Sequence, residues 1–235
     1  MRKISIVLLS AIFLVSSAAE AAERKFSIFG FEDIRIGNGV DVVLTSGKGA
    51  SARAEGETRE LLDRVLLQKN GKQLIVSVRA KSLNGDNYDA DAPVTVYLSS
   101  YAISSISHLG SGRVTLDKLS GRTPRLRLGG FGTLQVDAVD ADRLDVAMTG
   151  GGQVTMAGTV RAARVELQGA SIFESPDLTV EKLTLVQRGP ASSRMRVTRE
   201  AVITNNGTGR IMIAGTPNCI VKTDGAADIV CDPDR

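Results

Sequence analysis

Apolar and polar residues alternate along most of the second half of the chain, and small clusters of glycine interrupt the alternation. In the stretch VAMTGGGQVTM, Val146 and Met148 precede three glycines, and Val154 and Met156 follow them. Successive side chains of a β-strand point to opposite faces, so each flank predicts a strand with one buried face. The glycines between the two flanks predict a turn.

The glycine clusters recur at a nearly fixed interval. Their first glycines are 20, 20, 19, 20, 18 and 18 residues apart, at Gly110, Gly130, Gly150, Gly169, Gly189, Gly207 and Gly225. The residue four positions before each glycine is apolar, and four positions after it only Ser193 is polar. Units this short cannot bury an apolar face alone, whereas stacked units can. The period predicts an all-β, single-stranded parallel β-helix, or β-solenoid, with rungs of about 20 residues; parallel crossovers favour the right-handed form.

Residues 26–100 do not fit this register, although their alternating apolar positions also indicate strands. Glu60 to Leu67 is typical of one short helix, and Asn70-Gly71 of a tight hairpin turn. An uncovered solenoid end invites association between edges, so this part is expected to start the solenoid and cover that end. The predicted division is 1–21 as a signal peptide, 22–101 as a β-rich start or cap, and 102–235 as the repeats.

The first 21 residues have the layout of a secretory signal peptide. Arg2 and Lys3 precede an apolar run over residues 4–15, which leads to the small-residue cleavage motif Ala19-Glu20-Ala21. The apolar run is shorter than a membrane span of about 20 residues, and no later segment is long enough. We therefore expect an exported protein that does not span the membrane and that resides in the periplasm, at the cell surface or outside the cell.

Charge and cysteine content narrow the classes of function. The 29 basic and 26 acidic residues form no basic block, which argues against a nucleic-acid partner. Cys219 and Cys231 lie six residues before and after Gly225, so both point inward in the final rung. In an exported chain this pair favours a disulfide over two free thiols. One histidine largely excludes the usual zinc sites.

Several residues that could carry chemistry have simpler structural interpretations. The glycine clusters precede strands and lack a GK[ST] motif, so they indicate corners and not phosphate-binding loops. His108 is expected to point inward as a buried, hydrogen-bonded residue, with catalysis as the alternative. Further along the same inward column, the predicted buried polar ladder consists of Gln187, Asn205 and Thr223. No catalytic, cofactor or metal site is predicted, apart from a weak calcium site as the alternative to a solvated loop at Asp86, Asp89 and Asp91.

Several motifs resemble one known bacterial family. They are IRIGNGVDVVLTSGKGASARAEG, LLQKNGKQLIVSV and the clusters GSGRV, GFGTL, GGGQV and GTGRI at about twenty-residue steps. Together they are similar to the family named putative auto-transporter adhesin, head GIN domain, over nearly the whole mature chain. The resemblance implies an exported β-helical protein with an adhesive function, and it supplies no catalytic motif.

Two classes of function follow. The first is a non-enzymatic envelope or surface protein that binds a glycan, an envelope polymer or a protein; a periplasmic sensor would look the same in sequence. The alternative is a carbohydrate-active enzyme acting on an acidic polysaccharide. Its candidate groove lies on the outward face of adjacent rungs and comprises Arg125, Arg127, Asp145, Arg164 and Glu166. The lack of tryptophan and the scarcity of other aromatic residues argue against sugar stacking.

Overall fold

The computed structural model describes residues 22–79 and 94–231. The predicted all-β solenoid with rungs of about 20 residues is confirmed. One helix, α1 (Arg59–Asp63), follows the fourth strand. In chain order the strands are β1 (Ala22–Phe26), β2 (Asp33–Ile36), β3 (Asp41–Ser46), β4 (Ser51–Gly56), β5 (Val65–Asn70), β6 (Gln73–Val78), β7 (Thr95–Ser100), β8 (Ser105–His108), β9 (Arg113–Ser120), β10 (Arg125–Gly130), β11 (Thr133–Gly150), β12 (Gln153–Gln168), β13 (Ile172–Gly189), β14 (Ser192–Gly207), β15 (Arg210–Ala214), β16 (Asn218–Thr223) and β17 (Asp228–Cys231).

Parallel pairing stacks the rungs so that like residues form columns. Leu126 lies opposite Val146, and Val146 lies opposite Val165 in the next rung. All three are at most 2% exposed. The alternation of the sequence thus becomes a continuous apolar core, while the residues between these positions face outward.

Two rungs of the N-terminal part belong to the same stack. Strand β2 pairs in parallel with β8 on one side and β6 on the other, which places Ile34 between Ile106 and Leu74. Strand β3 lies in the same way between β9 and β7. Residues 26–100 lack the glycine period of the repeats, yet these four strands stack in register with them. The order of rungs in space differs from their order in the chain, so a count of residue spacing cannot show this register.

Antiparallel strands and one helix cover this end of the stack. Strand β4 pairs antiparallel with β7 and with β1, and β5 pairs antiparallel with β6 through the expected hairpin at Asn70-Gly71. Thr58 caps α1, and Leu62 of the helix is fully buried. The helix predicted from Glu60 to Leu67 ends earlier, at Asp63, because Val65 already pairs with Val78 in the β5–β6 ladder.

The opposite end consists of β16 and β17. The predicted disulfide between Cys219 and Cys231 is confirmed, with 6.6 Å between the two α-carbons and both side chains packed on the core. Among the residues described, β16 pairs only with β14, and the inward-pointing Val221 is 42% exposed. The disulfide therefore spans the last rung where no further described rung covers the core.

Candidate functional site

The seven glycines of the repeat lie one above another at one corner of the solenoid. A β-carbon added to Gly130 would stand 3.0 Å from the carbonyl oxygen of Gly110, and one added to Gly150 would stand 2.5 Å from that of Gly130. Each glycine in the column meets the previous one in the same way. The corner is thus packed backbone against backbone, and a strand follows each cluster where a phosphate-binding loop would need a helix.

His108 lies inside the solenoid, where it is 0% exposed. Its Nε2 donates a hydrogen bond to the carbonyl oxygen of Gly112, at 2.8 Å. Burial lowers the pKa of His108 below its usual value, so the imidazole is neutral at pH 7. The hydrogen bond links the His108 ring to the backbone of the corner, and the ring has no contact with solvent.

Most hydrogen bonds of the polar residues in the same inward column go to groups near the corner of their own rung, and few go to one another. Gln187 donates to the carbonyl oxygen of Ala191 at 2.7 Å and accepts from the hydroxyl of Ser193 at 3.1 Å. Asn205 donates to Thr223 in the next rung at 3.1 Å. The predicted ladder therefore runs only from Asn205 to Thr223. Ser193 is the single polar residue in its column because its hydroxyl donates a hydrogen bond to Gln187.

The five charged residues that the sequence placed on adjacent outward faces do come together. The arginine groove, as we call it, is a shallow depression of about 220 Å³, and its charged lining is Arg125, Arg127, Asp145, Arg164 and Glu166. Asp145 lies opposite Arg125 and Arg164 in the neighbouring rungs. Ala147 lies between Arg127 and Glu166 in the adjacent column, and its small side chain leaves space between them.

The charges of the arginine groove are partly paired. The Nε of Arg164 donates to Glu166 at 2.8 Å, so that carboxylate is engaged within its own strand. Arg125 and Arg127 are exposed. Two guanidinium groups two residues apart on a rigid strand suit a planar anionic group, which guanidinium binds through paired hydrogen bonds.

A second depression lies on the outward face of the covered end and was missed from the sequence. The N-terminal groove, as we call it, has a volume of about 570 Å³; its larger side chains are Lys25, Phe26, Ile28, Lys48, Arg53 and Tyr97. Lys25 lies opposite Arg53, and Arg53 lies opposite Tyr97, on the antiparallel strands β1, β4 and β7. These residues have no common period in the sequence, so only the folding back of β4 and β1 brings them together.

Arg53 and Tyr97 form the centre of this groove. The guanidinium carbon of Arg53 lies 4.0 Å from the centroid of the Tyr97 ring, and Arg53 also pairs with Glu55. A hydrogen bond from Tyr97 to Glu55, together with burial, raises the pKa of the Tyr97 hydroxyl. Both side chains are therefore held in place before any ligand arrives.

Other charges and possible sites add little. Along one turn, ion pairs join Arg161 to Asp142 at 2.6 Å and Arg199 to Glu181 at 3.5 Å. These exposed charges neutralise one another, as is usual on a solvated surface.

The calcium candidates Asp86, Asp89 and Asp91 lie outside the described residues. Within 22–79 and 94–231 no three His, Cys, Asp or Glu residues are grouped to hold a metal ion. No helix in that part of the chain has the length and apolarity to cross a membrane.

The sequence profile of the family described as putative auto-transporter adhesin, head GIN domain, matches residues 30–217. The chain belongs to this family. The match covers both grooves except for β1 and the first residues after it, and it includes the whole glycine column except Gly225. No curated protein sequence matches the chain significantly.

Solved structures share the solenoid. A putative adhesin from Bacteroides fragilis NCTC 9343 has a TM-score of 0.79 at 20% identity, over 90% of this chain and 97% of that one. A putative adhesin from Parabacteroides merdae ATCC 43184 has a TM-score of 0.64 at 16% identity, over 89% and 95%. A putative lipid binding protein from Parabacteroides distasonis ATCC 8503 has a TM-score of 0.62 at 14% identity, over 89% and 95%. At these identities the likeness concerns the fold.

Proposed function

We propose that this protein is an exported, non-enzymatic envelope or surface protein that binds a glycan or protein partner, as an adhesin does. The observation that carries the proposal is the arginine groove, where exposed Arg125 and Arg127 stand on a rigid outward face. Membership of an adhesin family supports a binding function. The disulfide and the signal-like leader support export, since disulfides persist in oxidising compartments.

The solenoid suits this function physically. Parallel strands hold outward side chains in columns spaced by about 4.8 Å, so a partner meets groups whose backbone positions are already fixed. The inward polar groups that could have served chemistry, such as His108 and Gln187, are instead buried and hydrogen-bonded within the core. Because the inward polar groups are buried and the outward side chains are exposed, we expect a partner to bind through the outward columns.

The proposal can be tested by sedimenting the purified protein with isolated cell envelopes of its source organism. We expect the protein to bind and Arg127→Glu to weaken binding at least tenfold. Arg196→Glu is the matched control, because Arg196 is likewise exposed and lies outside both grooves. Equal binding by both variants and the unmodified protein would remove the arginine groove from the proposal, and absence of envelope binding would refute the function.

Location gives a second test. Protease treatment of intact cells degrades a surface protein and spares a periplasmic one. Adhesion to other cells or to surfaces requires degradation under this treatment. Complete protection would contradict adhesion.

A carbohydrate-active enzyme remains the second candidate, because Asp145 and Glu166 share one groove with three arginines. Carboxylates and basic groups on one outward face could act on an acidic polysaccharide. Incubation of the protein with polyuronates, followed by detection of shortened products, tests this function. Cleavage that is lost in both Arg127→Ala and Asp145→Ala would establish the enzyme and overturn the non-enzymatic proposal.

A further inference from the structure

The aromatic residues of this protein are few but concentrated. The described residues contain seven phenylalanines and tyrosines, of which only Phe131 and Phe173 lie away from the covered end. The other five are Phe26, Phe29, Phe31, Tyr97 and Tyr101. Phe29 and Tyr101 are 79% and 75% exposed. The low aromatic content argued against a sugar-binding surface for the chain as a whole, but two of these aromatic residues, Phe26 and Tyr97, line the N-terminal groove.

The N-terminal groove is lined by cations and not by acids. Lys25, Lys48 and Arg53 line it, and no aspartate or glutamate of the described residues does so. The nearest carboxylates in register are Glu23, two residues before Lys25 on β1, and Glu55, two residues after Arg53 on β4. Glu23 pairs with Lys25 at 3.6 Å, and Glu55 pairs with Arg53. An anion in the groove therefore meets positive groups first.

Arg53 retains hydrogen-bonding capacity for such an anion. Its Nη1 donates to Glu55, and its plane stacks on Tyr97. A guanidinium has five N–H donors in a fixed fork, so one bond to Glu55 leaves most of them available. Because Glu55 and Tyr97 already fix the side chain, a carboxylate that binds there loses little affinity to the ordering of Arg53.

The remaining lining combines hydroxyl and apolar groups. Ser27, Thr45, Ser51 and Ser99 contribute hydroxyls. Ser51 and Ser99 already share a hydrogen bond of 2.7 Å. Phe26 and Ile28 also line the groove, and both pack partly against the core. Sugars present hydroxyl groups on their edges and C–H groups on their faces, and such a mixed lining can satisfy both.

We propose that the N-terminal groove binds an acidic saccharide, with its carboxylate at Arg53 and Lys48 and its hydroxyls at the serine and threonine side chains of the lining. This inference rests on the proposed binding function and names a ligand class and a site for it. The groove is concave, and Glu23 and Glu55 lie beside it on β1 and β4. A flat anionic membrane would also meet those carboxylates, whereas one sugar inside the groove meets mainly the cations.

The test uses a trimer of galacturonic acid, a matching neutral trimer of galactose, and phosphatidylglycerol vesicles. Calorimetry with the purified protein is expected to show binding of the acidic trimer, weakened by added salt, and at least tenfold weaker binding of the neutral trimer. Arg53→Gln and Lys48→Gln are each expected to weaken binding of the acidic trimer at least tenfold. Lys48 is exposed in a bend after β3, so its substitution should leave the fold intact. Arg196→Glu, at an exposed arginine outside both grooves, is the control and should bind the trimer normally.

The outcomes separate this inference from the proposed function. Equal binding of both trimers, an unchanged affinity in Lys48→Gln, or binding to vesicles without binding to the acidic trimer would overturn the saccharide site. If envelope binding persists in those cases, the proposed function survives without this groove. If the acidic trimer binds as expected but envelopes are not bound, the adhesive function fails while the site stands.

Discussion

Replacing Gly150 by alanine should be far more costly than the same change at Gly39. Gly150 has a φ of +112°, a region that alanine adopts at a cost of about 1–3 kcal/mol. Its new β-carbon would also stand 2.5 Å from the carbonyl oxygen of Gly130, so the two rungs must separate by about 1 Å to restore ordinary contact. That movement strains the adjacent hydrogen bond from the Gly151 amide to the same oxygen, now 3.0 Å long, and such a bond contributes about 1 kcal/mol.

The matched control isolates the stacking contribution. Gly39 also has a positive φ, of +74°, but an added β-carbon would meet no atom within 4 Å. Gly39→Ala should therefore cost only the conformational part, about 1–2 kcal/mol, whereas Gly150→Ala should cost about 3–4 kcal/mol. Chemical unfolding followed by circular dichroism, with hydrogen exchange of the flanking rungs, measures both free energies. Equal losses in the two variants would refute the argument that the glycine column serves close stacking of backbones.

Three further predictions concern the core. Replacing both Cys219 and Cys231 by serine should destabilise the final rung by about 3 kcal/mol, from the chain-entropy estimate for a 12-residue separation; faster amide exchange confined to β16 and β17 would show it, and unchanged exchange there would contradict it. His108 has a lowered pKa in the folded protein, so the unfolded chain takes up the proton first and stability should fall as the pH drops below about 6.5. His108→Gln should reduce this fall in unfolding experiments across pH 7 to 5, and an identical pH profile would exclude the effect. Ser193→Ala should cost about 1–3 kcal/mol because it leaves the Gln187 oxygen buried without its partner; adding Gln187→Leu should recover part of that loss, and strictly additive losses would argue against coupling.

The repeat could be predicted because its information is local. Glycines at Gly130 and Gly150 and apolar residues four positions away fix the corner, the inward columns and the outward columns of each rung. The arginine groove follows from the same register, since Arg125, Asp145 and Arg164 are one rung apart. Its members were therefore identifiable before the fold was known.

The N-terminal groove could not be predicted in this way. Lys25, Arg53 and Tyr97 are neighbours only because β4 reverses direction on β7 and β1 reverses again on β4. No period relates their positions, and antiparallel register depends on where each reversal occurs. The shortened helix α1 has the same origin, because the β5–β6 ladder takes residues whose local sequence also suits a helix.

The position of the β2–β3 rung constrains the order in which the protein can fold. This rung comes early in the chain, yet it lies between the β6–β7 rung and the β8–β9 rung. A chain that emerges N-terminus first cannot complete the start of the stack until Leu116, the partner of Leu44, has appeared. From there each new rung needs only the one before it. The slow step of folding should therefore be closure of this interleaved start, a contact between distant parts of the chain, and the glycine-cornered rungs should add rapidly once it has formed.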